Sequence, residues 1–258
     1  MDLLLIIFGI GLMGGGISGL LGIGGSIITA PLLLYVPGFF GIEPLSMHLV
    51  SGLTITQSLF VGLAGAAPHR RSGNIDRRLV LVMSATIFGA SMIGAAGSKY
   101  FSHDFLLGVF AILALTAAIL VFLPWGKLEI APEYAQGSFS TPGAMAVALT
   151  VGLLGGLVGQ GGSYLLIPML VYLLGVPLRV SMGSNLVIVF FASLAGFTGK
   201  AVTGQVHLLF AAALLLGVIP GSVFGSWLSH KVPVVILRYG LGFMIIAACV
   251  QIVFDLLS

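Results

Sequence analysis

Residues 3 to 36 form one apolar run without a single charged side chain, and the run is too long to cross a bilayer once as a straight helix. At 1.5 Å per residue it would reach roughly 50 Å, against a hydrocarbon core of about 30 Å. The chain must bend inside it. The place for the bend is Gly22-Ile23-Gly24-Gly25-Ser26, followed by Pro31. The same pattern returns as Gly159-Gln160-Gly161-Gly162-Ser163 with Pro168, inside a second long run, residues 143 to 174. Gly and Pro interrupt a helix, and a Gly-rich interruption leaves backbone N–H groups open to close approach.

Composition sets the solvent in which this happens. Of 258 residues, 59% are hydrophobic and 7% are charged, whereas a soluble domain is roughly a quarter charged. Apolar runs at 3–36, 44–66, 78–98, 104–123, 143–174, 178–199, 207–229 and 232–256 give eight segments that fill nearly the whole chain. The expectation is an all-α integral membrane protein, multi-pass, with a single transmembrane domain over 1–258. The connection 124–142 is too short for a soluble catalytic unit. The start, Met1-Asp2-Leu3-Leu4, has no basic flank and reads as a retained helix. Cys249 is the single cysteine, so neither an intramolecular disulfide nor a Cys-based metal cluster is expected, and no cofactor motif is present. A net charge of +3, held in short loops, reports orientation in a membrane and argues against nucleic acid as a partner.

The chain is an internal duplication. A shift of 137 positions lays the first Gly-Gly-Ser motif on the second, with repeat one at 1–123, a loop at 124–142 and repeat two at 143–258. After gaps, Leu63-Ala64-Gly65 matches Leu194-Ala195-Gly196, and Ser72-Gly73-Asn74-Ile75 matches Thr203-Gly204-Gln205-Val206. Thr86, Ala90, Gly94 and Ser98 match Gly217, Gly221, Gly225 and Ser229, a small residue every four positions that predicts close helix packing. Basic residues decide between parallel and inverted halves. With the Arg70-Arg71 to Arg77-Arg78 loop inside, inverted halves place eight basic residues inside (Arg70, Arg71, Arg77, Arg78, Lys127, Arg179, Lys231, Arg238) and two outside, Lys99 and Lys200. Parallel halves give six against four. The expectation is two inverted repeats, the first segment of each a broken or re-entrant helix, with Lys200 in an outward loop and both termini outside.

A helix that starts in mid-membrane offers N–H groups without helical partners and the positive end of its dipole, which together suit an anion. Gly24, Gly25, Gly161 and Gly162 would keep that backbone uncovered, and Ser26 and Ser163 would cap the new helices or bind a ligand oxygen. On the next segment Ser51, Thr54 and Ser58 share a face, with Gln57 further round, and the matching segment carries Ser181, Ser184 and Asn185. Hydroxyls on helices readily bond their own i−4 carbonyl, whereas membrane amides such as Gln57 and Asn185 must find a partner. The candidate substrate-binding set is therefore Gly24, Gly25, Ser26, Gly161, Gly162, Ser163, Ser51, Gln57, Ser184 and Asn185. Gln160 stands where the first motif has Ile23, so the site is not chemically symmetric. No Asp or Glu lies deep in an apolar run, which removes the usual carboxylate proton relay.

The doubled G-x-G-G-S-x4-P motif, the eight runs and the basic loop after the second run resemble the TauE/SafE sulfite exporter family, also called TSUP, over essentially the whole chain. That resemblance implies a transporter of sulfite, sulfoacetate or other sulfur-containing anions and organosulfonates in the bacterial inner membrane. It carries site roles only to Gly24, Gly25, Ser26, Gly161, Gly162 and Ser163; the residues themselves reach only a small anion as partner, and leave a homodimer open. An inside-negative potential drives an anion outward by about 2.3 kcal/mol per charge per 100 mV, so export needs no coupling ion. Proton- or sodium-coupled uptake is the alternative. An intramembrane serine enzyme built on Ser26 or Ser163 with His48 is a weaker one, since a single nucleophile has no need of duplication and no G-x-S-x-G signature is present. A non-transporting scaffold would leave the mid-membrane glycines unexplained.

Overall fold

A computed structural model describes residues 3–21, 26–71, 75–122 and 137–229. The glycines of the first motif (Gly22, Gly24 and Gly25), Arg238, Cys249 and the last apolar run lie outside the described residues. Within them the chain is helical, with no strand. The first long run gives α1 (Leu3–Leu21) and α2 (Ser26–Phe39); α3 (Met47–Arg71), α4 (Arg77–Gly97) and α5 (His103–Phe122) follow. The second half supplies α6 (Thr141–Val158), α7 (Ser163–Leu174), α8 (Leu178–Val202) and α9 (Leu208–Ser229). Four stretches are long and apolar enough to cross a bilayer: Arg77–Tyr100, Thr141–Val158, Val180–Val202 and Leu208–Gly225. Side chains such as Leu81, Ile93, Ile112 and Leu216 stay exposed, while Gln57, Gln160 and Asn185 are buried. Apolar groups face outward and amides inward, as a lipid solvent requires.

Both long runs are interrupted at the expected place, yet Pro31 and Pro168 are not what interrupts them. They sit inside α2 and α7. Proline lacks one N–H and is tolerated within a membrane helix whose freed carbonyl finds other partners, so in the second run the break falls to Gly159, Gly161 and Gly162. The second interruption folds back on itself. Gly143, near the start of α6, lies beside the Leu174 side chain at the end of α7, so α6 and α7 form a hairpin.

The halves interlock through their small residues. Gly11 and Gly15 of α1 meet the backbone of Leu214 and Val218 in α9, and Gly217 and Gly221 answer against Phe8 and Leu12. In the other half Gly152 and Gly156 of α6 meet Ala90 and Ser91 of α4, and Gly94 meets Leu153. Helix α1 thus runs alongside, and in the same direction as, α9, and α6 likewise alongside α4. The small-residue series is packing, as its spacing predicts. The matching helices α3 and α8 cross the centre in opposite directions, with Gly62 beside Phe190 and Ile55 beside Gly196. Helices α4 and α8 run parallel, tied by the Ser91 hydroxyl donating to the Ala192 carbonyl at 2.7 Å.

Lys200 is where expectation and structure part. It lies in the last turn of α8, not in a loop, and is 0% exposed. Apolarity ends at residue 199, but the helix continues to Val202 because neighbouring helix ends give the ammonium partners.

The helix approach is testable at one position. A Cβ at Gly217 would collide with the Phe8 carbonyl and the Leu12 N–H, whereas one at Gly89 meets nothing within 4 Å. Gly217→Ala should cost about 1–3 kcal/mol as an overpacked contact, read as a lower melting temperature in detergent, while Gly89→Ala leaves melting unchanged or slightly raised. Equal melting of the two variants would contradict the packing described.

Candidate functional site

The second break is built from three glycines in the left-handed region: Gly159 (φ 76°), Gly161 (φ 62°) and Gly162 (φ 75°). A side chain there would be strained, and it would also collide. Gly159 rests on the backbone of Ser51 in α3, and Gly161 rests on the Ser193 hydroxyl of α8 with Ser58 of α3 alongside. The N–H of Gly159 closes α6 onto the Gly155 carbonyl, and the Gln160 N–H joins it at 2.9 Å. Helix α7 then opens on Gly162, whose lack of a side chain leaves the first turn without a side-chain cap. Its leading N–H groups and positive dipole end face the break.

Here the two motifs meet. The hydroxyl of Ser26, the first residue of α2, donates to the Gln160 carbonyl at 3.1 Å across 134 residues of chain. The Ser58 hydroxyl reaches the same carbonyl at 3.5 Å. Among the described residues, both side-chain ends of Gln160 in the break and the Ser193 hydroxyl beside Gly161 are buried without a hydrogen-bond partner, as are both side-chain ends of Gln57 in α3, the Asn185 carbonyl oxygen in α8 and the Tyr164 hydroxyl in α7. Asn185, Val189 and Ser193 follow one another at intervals of four along α8, and Val189 flanks Gly161. A buried polar group without a partner costs about 1–3 kcal/mol, and a native structure holds few of them. Several, donors and acceptors both, lie on the helices that frame one break.

The expected residues divide accordingly. Gly161, Gly162 and Ser26 are at the junction, and Ser163 starts α7 directly after it; Gly24 and Gly25 lie outside the described residues. Gln57 and Asn185 are buried amides with unmet groups on the two helices that flank the break. Ser51 approaches with its backbone, while its hydroxyl donates to the His48 carbonyl at 2.8 Å. Ser184 accepts from the Asp76 N–H at 3.1 Å, at the start of α4 and in a different contact. Ser193 and Tyr164 were not in the expected set. Ser193 was legible as Asn185 plus two helical turns; Tyr164 gave no signal in an apolar run. The Ser26 hydroxyl engages the Gln160 carbonyl and not His48. Among the described residues no group of three or more His, Cys, Asp or Glu could hold a metal ion, and none of the junction residues is charged.

No solved structure matches this chain. The family model described as "Sulfite exporter TauE/SafE" matches residues 7–252. Relatives include the "Probable membrane transporter protein YunE" of Bacillus subtilis, 27% identical over 86% of this chain and 87% of the relative. YdhB, from the same organism and named likewise, is 26% identical over 92% and 94%. A "Probable membrane transporter protein" of Xylella fastidiosa is 24% identical over 97% and 95%. With a duplicated helix break, buried polar groups gathered on the helices around it and a family match over nearly the whole sequence, the chain belongs to the TauE/SafE family of membrane transporters.

Proposed function

We propose that this protein moves small sulfur-containing anions, sulfite or an organosulfonate, outward across the bacterial inner membrane, binding them where the two half-helix N-termini meet. The observation that carries the reading is the Ser26 hydroxyl on the Gln160 carbonyl, which joins the two repeated motifs beside unpartnered Gln160 and Ser193 groups. Helix ends, amides and hydroxyls supply donors to sulfonyl or sulfite oxygens without a fixed cation. The site lies well inside the two 25-residue helices, with Ser58 in α3 and Ser193 in α8. The family description and the relatives' names support a transporter. The sulfur-containing anion follows from the family description, and the outward direction from the membrane potential.

Inverted repeats suit this role because each break then opens toward a different face. Opposite directions of the matching helices α3 and α8 support inversion, as does the parallel course of α4 and α8, which brings Lys200 beside Ser98 and hence to the side of Lys99. The α6–α7 hairpin supports a re-entrant first segment.

Two experiments test the reading. Flux of sulfite, thiosulfate, sulfoacetate and sulfate is measured in proteoliposomes at imposed potentials. Gln160→Leu removes a buried amide with no protein partner, so it should melt at or above the wild-type temperature while sulfite flux falls about tenfold or more, the loss expected of one hydrogen bond to a charged ligand. Wild-type flux in this variant would remove Gln160 from the site. For orientation, single cysteines are introduced after Cys249→Ser. Lys99→Cys and Val202→Cys, the latter at an 81% exposed position, should label from outside and Arg77→Cys from the cytoplasm. Labelling of Val202→Cys together with Arg77→Cys would refute inversion.

A further inference from the structure

Lys200 is a buried ammonium with no carboxylate partner among the described residues. Its three N–H groups have three acceptors: the Ser98 hydroxyl oxygen at 2.8 Å, the Gln205 side-chain carbonyl at 3.2 Å and the Leu157 backbone carbonyl at 3.2 Å. Each acceptor belongs to a helix end or to the turn after one. Ser98 follows the last residue of α4 and donates to the Ala95 carbonyl at 2.7 Å. Leu157 is in the last turn of α6. Gln205 follows α8, whose last turn holds Lys200 itself. The Gln205 amide N–H₂ in turn donates to the Thr203 hydroxyl at 2.8 Å and the Ala95 carbonyl at 3.4 Å, fixing its oxygen toward the ammonium.

Three helix C-termini therefore converge on one point, each presenting roughly half a negative charge and carbonyls outside the helical ladder. Such a point is a cation site by construction. Oxygens of a hydroxyl, an amide and a main-chain carbonyl would serve a monovalent ion, and carbonyl-rich helix C-termini hold such ions in transporters with broken helices.

The position of this cage matters because α6 ends at the break. The negative end of α6 and the positive end of α7 face the same gap, and for an anion the two would largely cancel. We propose that the ends of α4, α6 and α8 form a monovalent-cation site occupied by the ammonium of Lys200. This tethered cation masks the α6 terminus, so the break presents only the positive end of α7 to the anion. A transporter with its cation built in has no need of a free one, and wild-type flux should not depend on sodium. The masking role rests on the anion-transport reading; the cation site does not.

The test is chemical rescue. Lys200→Ala empties the cage and Lys200→Met fills it without charge. Melting of each purified protein is followed in choline, sodium and methylammonium chloride. Both variants should melt about 5 °C or more below wild type in choline, as expected for loss of a buried hydrogen-bonded charge. Methylammonium or sodium should raise Lys200→Ala saturably toward wild type, with no effect on wild type or Lys200→Met. Anion flux through Lys200→Ala should be lost in choline and return with the same saturation. If Lys200→Ala aggregates in choline, purification with methylammonium should yield a monodisperse protein. Failure of both ions to restore melting or monodispersity overturns the cation site, as does Lys200→Met with wild-type melting. Restored melting without restored flux, in a preparation whose wild type transports sulfite, overturns the masking role alone. Wild type inert toward all four anions refutes the transport reading and leaves the melting result standing.

Discussion

Backbone groups inside a bilayer must find partners within the protein, since an unpaired N–H or C=O in hydrocarbon costs several kcal/mol. A helix interrupted within an apolar run therefore survives only where the rest of the fold supplies those partners, and the contacts at residues 159–162 supply them here. The N–H groups of Gly159 and Gln160 turn back onto Gly155. The Gln160 carbonyl is met by Ser26 of the opposite repeat and by Ser58. The Leu157 carbonyl is met by Lys200. The first turn of α7 is different, because no side chain caps it.

Close approach is the second requirement, and it explains why glycine recurs outside the break. For Ser26 to reach Gln160, the first half-helices must be held deep in the protein. They are held by contacts of backbone on backbone: Gly11 and Gly15 on α9, and Gly152 and Gly156 on α4. Lipid tails are as apolar as leucine, so helix association in a membrane rests on such packing more than on hydrophobic burial. Each repeat thereby anchors the broken helix of the other. This couples the two halves mechanically, a useful property if one half is to rock against the other.

What the sequence made legible was whatever repeats or whatever a membrane forbids. The breaks were readable because two runs exceed the bilayer and share a motif. The four-residue series of small side chains was readable as packing, and Gln57 and Asn185 stood out because an amide in an apolar run demands a partner. Hydroxyls were harder: Ser51 and Ser184 look alike on a helical wheel, yet one bonds its own helix and the other holds the start of α4. Lys200 was misread for a physical reason. Counting positive charges treats every lysine near the end of a run as interfacial, and only the convergence of three helix ends, a tertiary fact, can make a fully buried lysine acceptable.

On the proposed reading, a neutral binding site flanked by masked charge has a kinetic logic. A lysine inside the junction would hold an anion firmly and slow its departure, and a carboxylate would repel it. Passage requires binding strong enough to enter and weak enough to leave. Amides and hydroxyls at Gln57, Gln160, Asn185 and Ser193, with the dipole of α7, supply that middle range without a full charge. Tying Lys200 into its own cage would let it shape the local potential without competing for the proposed anion. Gln160 has Ile23 as its counterpart in the first motif, so the two repeats are not chemically identical. On the proposed reading that difference would give the two halves of an anion's path unequal affinity, which two identical halves could not provide.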